Sequence, residues 1–529
     1  MTPGTGSGDA GSAESFTYHR AEGDWLGELM IDGDAHQAHL TLWRRDGHLG
    51  GVVDLPSMSA FGIRLELVAQ GPMAFTLSFT NPNGTWSAGA WIFACQAQPR
   101  GLACVAMHGR IRAPFEMTKV PLRAGDGRIA EGYAGYYDGG GETAILARAG
   151  SHLLRTDGAL PVELYPISEA SFTSDGKDLV VFEGNTAIRI GEHPFRVCRA
   201  ELPYTTREIT FASGAVKLRG TLRTPREGGA HPAVALVHGS APGEGYHPYF
   251  EVIADHFARH GVAVLAYDKR GWGLSGGDWK TASFEDLASD SLAATHELQR
   301  QPQIDAHRVG LWGISQGGWI LPLAASRSRD VAFLILASAA AASPAQQELA
   351  RVENEMRADG MPPHLIDEAL AFERLFVNVA LNGRGRDDLQ RAMREAQGRE
   401  WARYPAVLQV SESESAVDAV LRIAGEARDP GTTLGRVACP VLAIYGALDQ
   451  TVRMDDNSRL LQQALREGGN SDVSVVVVQG ADHAFFPTRT GGRLELLESA
   501  AKRIAFAPGF LQQMTNWLTR RIIPDQAAN

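Results

Sequence analysis

The sequence is poor in cysteine and lacks the short motifs of metal centres. Four cysteines in 529 residues exclude a disulfide-dense scaffold. Neither a Cys-x-x-Cys nor a His-Glu-x-x-His pattern occurs, so we predict no metal site. Cys95 and Cys104 could face each other across a hairpin. Because cytosolic thiols normally stay reduced, two semi-buried free thiols are the favoured interpretation.

Long apolar runs and an excess of positive charge are also missing. The first thirty residues lack the apolar core of a signal peptide, and "VAFLILASAAAA" from Val331 is shorter than the ~18 residues that span a bilayer. The net charge is −11 with a pI near 5.8, which argues against a nucleic-acid or anionic-membrane surface. We therefore expect a cytoplasmic protein without nucleic-acid or membrane partners.

The N-terminal part of the chain has the pattern of an all-β domain. The chain is long enough for two or three domains. Residues 1–14 are rich in Gly, Ser and Thr and are predicted to be disordered. From 15 to 203, short alternating segments are separated by turn residues, which predicts an antiparallel β sandwich or barrel. A second such unit could start near Gly132.

The C-terminal part, 204–529, has a different pattern. Nearly all-apolar runs such as "AVALVHG" and "PVLAIYGALD" alternate with helical segments, which indicates a mostly parallel sheet covered on both faces. We therefore predict a doubly wound α/β domain. Between about 343 and 435 only helical patterns occur, and these predict a helical cap inserted between two strands.

Two segments carry a G-x-S-x-G pattern, centred on Ser275 and Ser315. A nucleophile elbow needs an apolar strand before the serine and a helix after it. Ser315 has both, in "RVGLWG" and "QGGWILPLAASR", and Ser275 has neither. The Ser275 segment also matches G-x-G-x-x-G, but no helix begins inside it and no acidic residue follows at the end of a next strand about twenty residues on, so a dinucleotide site is disfavoured. Ser315 is the predicted nucleophile.

A serine nucleophile needs a base and an acid that orients the base. On this architecture both should follow the serine, at the carboxyl ends of later strands. Asp449 comes just past "PVLAIYGAL" and His483 just past "VSVVVVQGAD". We predict His483 as base and Asp449 as acid. Other aspartates compete for the role of acid: Asp482, Asp455, Asp456 and Asp268.

An oxyanion hole needs two backbone N–H donors. Gln316, directly after the nucleophile, and Ser240, in the loop after the first parallel strand, are the predicted donors. Gly239 would let that loop approach the substrate closely. Trp319 and Trp272 are predicted to shape an apolar acyl pocket, with the alternative that both are core residues. The remaining polar residues near these loops are predicted to order them rather than to react: His238, Asp268, Lys269 and Arg270.

These segments together resemble the α/β-hydrolase superfamily. The matching elements are "VHGSAPGE", "YDKRGWGLSGG", "GISQGG", "YGALDQTV" and "GADHAFF", in this order. The D-x-R-G-x-G-x-S loop and the late cap resemble the serine esterase and aminopeptidase-like branch. The resemblance implies acyl transfer to water through Ser315, with no metal or cofactor. A serine nucleophile argues against epoxide hydrolases and dehalogenases, which use aspartate, and dienelactone hydrolases, which use cysteine. The N-terminal region is similar to the β domain of some bacterial carboxylesterases.

The leading hypothesis is a carboxylesterase for small or medium acyl esters. Aminopeptidase, amidase, lactonase or thioesterase activity with the same triad stays open. Aminopeptidase activity would need cap carboxylates for a substrate amine, with the candidates Glu353, Glu355, Asp367 and Glu368. A different class is a non-catalytic protein that binds partners through the β domain, using exposed aromatics among Trp25, Trp43, Trp86 and Trp91. The edge strands of that domain could also support a homodimer.

Overall fold

The structure is a computed structural model of the chain. It describes residues 22–31, 34–45, 48–55, 60–70, 74–80, 90–98, 101–108, 111–119, 133–138, 142–147, 153–156, 162–168, 171–173, 179–183, 187–190, 196–240, 248–409, 414–496 and 505–523. The predicted disordered segment 1–14 and Trp86 lie outside these residues. Of the helices in the described part, none is both long enough and apolar enough to cross a membrane.

The first domain is a closed antiparallel barrel in which each strand pairs with its sequence neighbours and the last returns to the first. In the strand Ile111–Lys119 alternate residues are buried, as expected where one face of a strand lines a core. Trp25 and Trp91 are 3% and 0% exposed in this core. They therefore do not form an exposed binding face. The strands, β1 to β8, are Gly23–Ile31, Asp34–Arg45, His48–Leu55, Ala60–Gln70, Ala74–Thr80, Ala90–Gln98, Gly101–His108 and Ile111–Lys119.

Cys95 on β6 and Cys104 on β7 are directly opposite each other in this barrel. The structure joins them in a disulfide, and each residue is 2% exposed. The expectation of two free thiols is therefore wrong. It rested on the redox compartment, whereas the strand register places the two side chains face to face inside one core.

A second closed barrel follows, so residues 15–203 contain two barrels rather than one unit. Its core contains Tyr137, Phe172 and Phe182, whose rings meet edge to face or at steep angles. The strands, β9 to β16, are Gly135–Asp138, Glu142–Ala147, Leu153–Thr156, Val162–Ser168, Ser171–Thr173, Leu179–Glu183, Ala187–Ile190 and Arg196–Ala200.

The C-terminal domain is built on an eight-stranded sheet. Its strands, β17 to β24, are Tyr204–Ser213, Val216–Pro225, His231–Val237, Ala263–Tyr267, Ile304–Ile314, Leu334–Ala337, Val441–Gly446 and Val473–Val478. They lie in the order β17-β18-β20-β19-β21-β22-β23-β24. β18 runs antiparallel to both of its neighbours, β17 and β20, and the other neighbouring strands are parallel. The predicted doubly wound, mostly parallel sheet of an α/β-hydrolase fold is confirmed.

Burial along the strands follows their place in this sheet. Every residue of the central β19 and β22 is buried, because helices cover both faces. The edge strand β17 alternates between buried and exposed residues, since one of its faces meets solvent. The described helices, α1 to α10, are Pro248–Arg259, Phe284–Gln299, Gly317–Arg327, Pro344–Ala358, Pro363–Asn382, Arg386–Ala396, Glu414–Ala424, Pro430–Leu434, Met454–Glu467 and Phe510–Arg521.

The interval between β22 and β23 is helical in its described part. It contains α4 to α8 and two short 3₁₀ helices, Glu400–Arg403 and Ala406–Leu408. The first helix starts with a capping box in which Ser343 and Gln346 bond each other's backbone N–H groups. Apolar side chains of α4, α5 and α7 form a separate core, which includes Val352 and Phe376. These helices occupy the interval in which the cap was predicted.

Candidate active site

Ser315 lies in a sharp turn between β21 and α3, with its φ at 56°. Among the described residues, the non-glycines with positive φ are Ser315, Ser338 and Phe485, and all three follow the carboxyl ends of sheet strands. Such a conformation costs about 1–3 kcal/mol and persists only where surrounding contacts enforce it. Here the Ser315 N–H donates to Ala337 O at 3.0 Å, and Ala340 N donates to Ser315 O at 3.3 Å. The turn is thus fixed to the neighbouring strand.

Close packing behind the turn explains one of its glycines. A Cβ on Gly318 would lie 2.3 Å from Ala340 O, closer than any real side chain approaches a carbonyl. The helix α3 can therefore start directly behind Ser315 only if this residue is glycine. No side chain caps that helix start, at Gln316. The N–H groups of Gly318 and Trp319 donate to Ser315 O and Gln316 O, both at 2.9 Å, and among the described residues no backbone carbonyl accepts from the N–H groups of Gln316 and Gly317.

His483 and Asp449 lie together at the carboxyl end of the sheet strands, the end at which Ser315 also lies. His483 Nδ1 is 2.9 Å from Asp449 Oδ2, and Val452 N–H donates to Asp449 Oδ1 at 2.7 Å. Asp449 is 3% exposed, so its carboxylate is held in one orientation. Because Nδ1 donates to the carboxylate, Nε2 is the ring nitrogen left to act as a base. Of the described residues, none accepts a hydrogen bond from the Ser315 hydroxyl, and catalytic bonds of this kind often close only when substrate binds.

The competing aspartates are engaged elsewhere. Asp482 Oδ1 accepts hydrogen bonds from the N–H groups of Ala484 and Phe486, both at 2.9 Å, and so orders its own loop. Burial raises the pKa of Asp482 to about 6. Asp455 and Asp456 lie in the first turn of α9, where carboxylates favour the helix dipole.

The electrostatic environment favours the protonated form of His483. Burial alone would lower its pKa, but the charge of Asp449, the hydrogen bond to Asp449 and the charges of Asp482 and Glu355 together raise the pKa above its usual value. A base of this kind accepts a proton from serine readily and holds it as an imidazolium beside Asp449.

The predicted oxyanion donors lie on two segments that meet at the nucleophile. A Cβ on Gly239 would be 3.5 Å from the Cβ of Ser315, so the loop after β19 touches the nucleophile turn. Within the described part of the chain, the N–H groups of Gln316 and Ser240 have no hydrogen-bond acceptor. Their role as donors to a substrate oxygen stays a prediction.

The loop residues near the site divide into two groups. Asp268 accepts from Leu274 N–H at 2.9 Å, and Arg270 pairs with Asp290 at 2.6 Å, as expected of a local network. His238 Nε2 contacts the carbonyl oxygen of Tyr267 at 2.7 Å, which fits a structural role. Lys269 differs, because its side chain points toward Gly239 and Gln316.

The two tryptophans predicted to shape the acyl pocket lie in different surroundings, Trp272 against the first barrel and Trp319 within the C-terminal domain. Trp272 is 4% exposed and packs into the core of the first barrel, with Trp279 beside it. It therefore joins the C-terminal domain to the first barrel, which agrees with the alternative that it is a core residue. Trp319 stacks on Phe284 at 5.6 Å and donates to Ala342 O at 2.8 Å. Sequence reasoning could not detect the barrel core around Trp272 or Phe284 beside Trp319, because both are remote from these tryptophans in the chain.

Among the candidate cap carboxylates, Glu355 is the buried one, and its charge contributes to the raised pKa of His483. It is 1% exposed, pairs with Arg351 at 2.7 Å and accepts from Thr451 Oγ1 at 2.8 Å. Glu353 pairs with Arg357 on the surface. Glu368 accepts from a cap tryptophan, and Asp367 is exposed. Among the described residues, no cluster of His, Cys, Asp or Glu is arranged to hold a metal.

The comparisons with known proteins agree with this architecture. Residues 228–488, just under half of the chain, match the family model described as serine aminopeptidase, S33. Esterase EstD of Thermotoga maritima is 26% identical over 274 residues, 50% of this chain and 57% of that protein. Thiohydrolase aneE of Aspergillus aculeatus is 32% identical over 123 residues, 22% of this chain and 36% of that protein. The chain therefore spans between about one third and somewhat over half of the length of these curated relatives.

One of the solved structures that the chain matches is the Pyrococcus furiosus esterase PF2001. It is 15% identical, with a TM-score of 0.38, and the alignment covers 60% of this chain and 92% of that one.

Proposed function

We propose that this chain, whose C-terminal domain is an α/β-hydrolase domain, is a serine hydrolase that cleaves carboxylic esters through an acyl-enzyme. The observation that carries the proposal is the 2.9 Å contact between His483 Nδ1 and Asp449 Oδ2. It lies at the carboxyl end of the parallel strands, where Ser315 is held at positive φ. Acyl transfer by a serine needs a nucleophile, an oriented base and an acid that holds the base, and on this architecture they follow the chain order serine, acid, base, as Ser315, Asp449 and His483 do.

The first half of the reaction forms the acyl-enzyme. Ser315 Oγ attacks the ester carbonyl carbon while His483 Nε2 takes the hydroxyl proton. The carbonyl oxygen becomes an oxyanion and accepts hydrogen bonds from the N–H groups of Gln316 and Ser240. The intermediate then collapses, the bond to the alcohol oxygen breaks, and His483 gives its proton to that alcohol.

The second half returns the enzyme to its starting state. Water attacks the acyl carbon and gives one proton to His483, and a second oxyanion forms in the same place. Collapse of this intermediate breaks the bond to Ser315 Oγ, which takes the proton back from His483. A carboxylic acid leaves. The reaction consumes one ester and one water and yields one acid and one alcohol.

A thioester substrate is the second candidate. The aligned relative from Aspergillus aculeatus is a thiohydrolase. The same triad serves both substrates, because the thiolate leaving group needs less help from the general acid than an alkoxide does. The preference is decided by comparing kcat/KM for an oxygen ester and a thioester of the same acyl chain.

The test of the main proposal combines labelling with kinetics. A fluorophosphonate should label the wild-type chain at Ser315, and the label should be absent from Ser315→Ala. Hydrolysis of short p-nitrophenyl esters should fall by about 10⁴-fold in that variant. Labelling of a different residue, or unchanged hydrolysis in Ser315→Ala, would contradict the proposal. Ser275→Ala is the matched control, since it removes the hydroxyl of the other G-x-S-x-G segment.

A further inference from the structure

The side chain of Lys269 reaches from the loop after β20 into the region behind the nucleophile. Its Nζ donates to Gly239 O at 2.8 Å and lies 3.3 Å from Gln316 Oε1. The residue is 8% exposed. A buried ammonium is costly unless its contacts repay the cost. Its two acceptors are therefore informative, since they belong to the two segments that carry the expected oxyanion donors.

The contact with Gly239 acts directly on one donor. The carbonyl of Gly239 and the N–H of Ser240 belong to the same planar peptide unit, and in a trans peptide they point in opposite directions. A hydrogen bond from Lys269 to the Gly239 carbonyl therefore fixes the orientation of this peptide plane. The Ser240 N–H is thereby directed away from Lys269. It also polarises the peptide, which makes that N–H a stronger donor.

The contact with Gln316 acts on the other donor segment. Gln316 supplies the second N–H from its backbone, and its side chain is bonded to the same ammonium. Gln316 is 1% exposed, so its side chain is fixed between the nucleophile turn and Lys269. One cation thus links the loop after β19 to the start of α3.

We propose that Lys269 is the positioning residue of the oxyanion hole, tying the Gly239–Ser240 peptide to Gln316 so that both N–H groups face the same point in front of Ser315. This inference rests on the proposed function and adds to it a residue outside the triad. The positive charge of Lys269 also lies on the carbonyl side of the peptide whose N–H meets the developing negative charge, so it stabilises that charge across the peptide.

The proposal has a consequence for pH dependence. Burial lowers the pKa of Lys269 to about 8, against the opposing effect of the Asp290 carboxylate on α2. Around Lys269, Asp290 is itself paired with Arg270, Asp268 accepts from a loop N–H, and His238 contacts a carbonyl of β20. As the pH rises through about 8, Lys269 loses its proton and charge. Turnover should then fall without a change in substrate binding.

The test compares Lys269→Met with Lys280→Met, a matched substitution further along the same loop, where Lys280 lies 3.8 Å from Glu66 on the first barrel. Lys269→Met should lower kcat for a p-nitrophenyl ester by about 10- to 100-fold and leave KM within about threefold, because oxyanion contacts form only in the transition state. Lys280→Met should change neither.

Two further readouts separate positioning from a general structural role. A trifluoromethyl ketone forms an oxyanion on the nucleophile, so its inhibition constant should rise in Lys269→Met by the same factor as kcat/KM falls. The alkaline decline of the wild type should disappear in both Lys269→Met and Lys269→Arg. Arginine keeps its charge at all pH values used. Thermal melts show whether Lys269→Met is folded. If it is not folded, the pH profile of Lys269→Arg tests the role of Lys269 instead.

The outcomes are distinct. If Ser315→Ala hydrolyses esters as fast as the wild type, the proposed function fails and this inference fails with it. If Ser315→Ala is inactive but Lys269→Met keeps kcat within about threefold, or keeps the alkaline decline, only the role of Lys269 is overturned.

Discussion

Two segments of this chain carry the same G-x-S-x-G pattern, and they differ in what surrounds the serine. Ser275 is fully buried, donates from Oγ to Asp268 O at 2.7 Å and accepts from Arg219 N at 2.9 Å. Its hydroxyl is satisfied by backbone groups in both directions. Ser315 is held in a strained turn at a helix start, and no described residue accepts from its hydroxyl.

The flanking glycines serve different purposes in the two segments. Gly273 and Gly277 both have positive φ, 49° and 81°, so the loop needs them for its backbone path. Around Ser315 the strained residue is the serine itself, and Gly313 lets the side chain of Leu321 pack close to the turn, since Leu321 Cδ1 would lie 2.9 Å from an added Cβ. The same motif thus forms a hydrogen-bonded loop around Ser275 and a strained strand-to-helix turn, the predicted nucleophile elbow, around Ser315.

The largest expected effect separates the two serines by activity. Ser315→Ala should reduce kcat for a p-nitrophenyl ester by about 10⁴-fold, because the covalent route is lost. Ser275→Ala should keep kcat within about threefold. Initial rates at saturating substrate measure both. A loss in Ser275→Ala equal to that in Ser315→Ala, in folded protein, would end the distinction between the two motifs.

The next largest effect extends the comparison to two aspartates near His483. Asp449 contacts it in the structure, and Asp482 directly precedes it in the chain. Asp449→Asn should lower kcat by about 10²- to 10⁴-fold, because the base loses its oriented partner. Asp482→Asn should cost less than about tenfold, since Asp482 bonds its own loop. The two rates, measured side by side, give the result, and a reversal of their order would make Asp482 the acid.

Removal of Asp449 should also change the pH profile. Its charge and hydrogen bond raise the pKa of His483 against the effect of burial. In the wild type, activity should therefore be lost as the pH falls through this raised value, because the base becomes protonated. Asp449→Asn lowers the pKa of His483, so the acid limb of its residual kcat/KM should move to lower pH. An acid limb that stays in place would assign that titration to another group.

A smaller effect reverses the comparison, because stability should depend on the other serine. Ser275→Ala removes the buried hydroxyl that donates to the Asp268 carbonyl and accepts from the Arg219 N–H, which should cost about 1–3 kcal/mol of unfolding free energy. Ser315→Ala should change that free energy by less than about 0.5 kcal/mol. Urea unfolding followed by tryptophan fluorescence measures both. Equal stability of the two variants would show that the Ser275 hydroxyl is dispensable.

The smallest effect concerns the second glycine of each motif. Gly277→Ala must place a side chain at φ 81° with Val216 3.3 Å from its Cβ, which should destabilise the protein by about 1–2 kcal/mol. Gly317→Ala meets nothing closer than Leu321 at 3.8 Å and should be within about 0.5 kcal/mol of the wild type. Thermal melts of the two variants compare them. A larger loss at Gly317 than at Gly277 would contradict the roles given to these glycines.

The cap and the barrels show where sequence reasoning stops. The interval 343–435 lacks strand patterns, so its helices could be predicted from periodicity alone. That Glu355 on α4 would be buried against Thr451 could not, because the two residues are far apart in the chain. The pairing of Cys95 with Cys104 likewise depends on barrel register, and the burial of Trp272 depends on how the first barrel meets the C-terminal domain.

The sequence by itself determined the parallel sheet and the chain order of Ser315, Asp449 and His483 at its strand ends. Apolar runs and turn residues are local signals, and the carboxyl ends of parallel strands meet at one edge without further information. Only the tertiary structure decided that the β region closes into two barrels and that Lys269 points toward Gly239 and Gln316. These features are contacts between segments that are distant in the chain. The local pattern of apolar and polar residues does not specify which distant segment a side chain will contact.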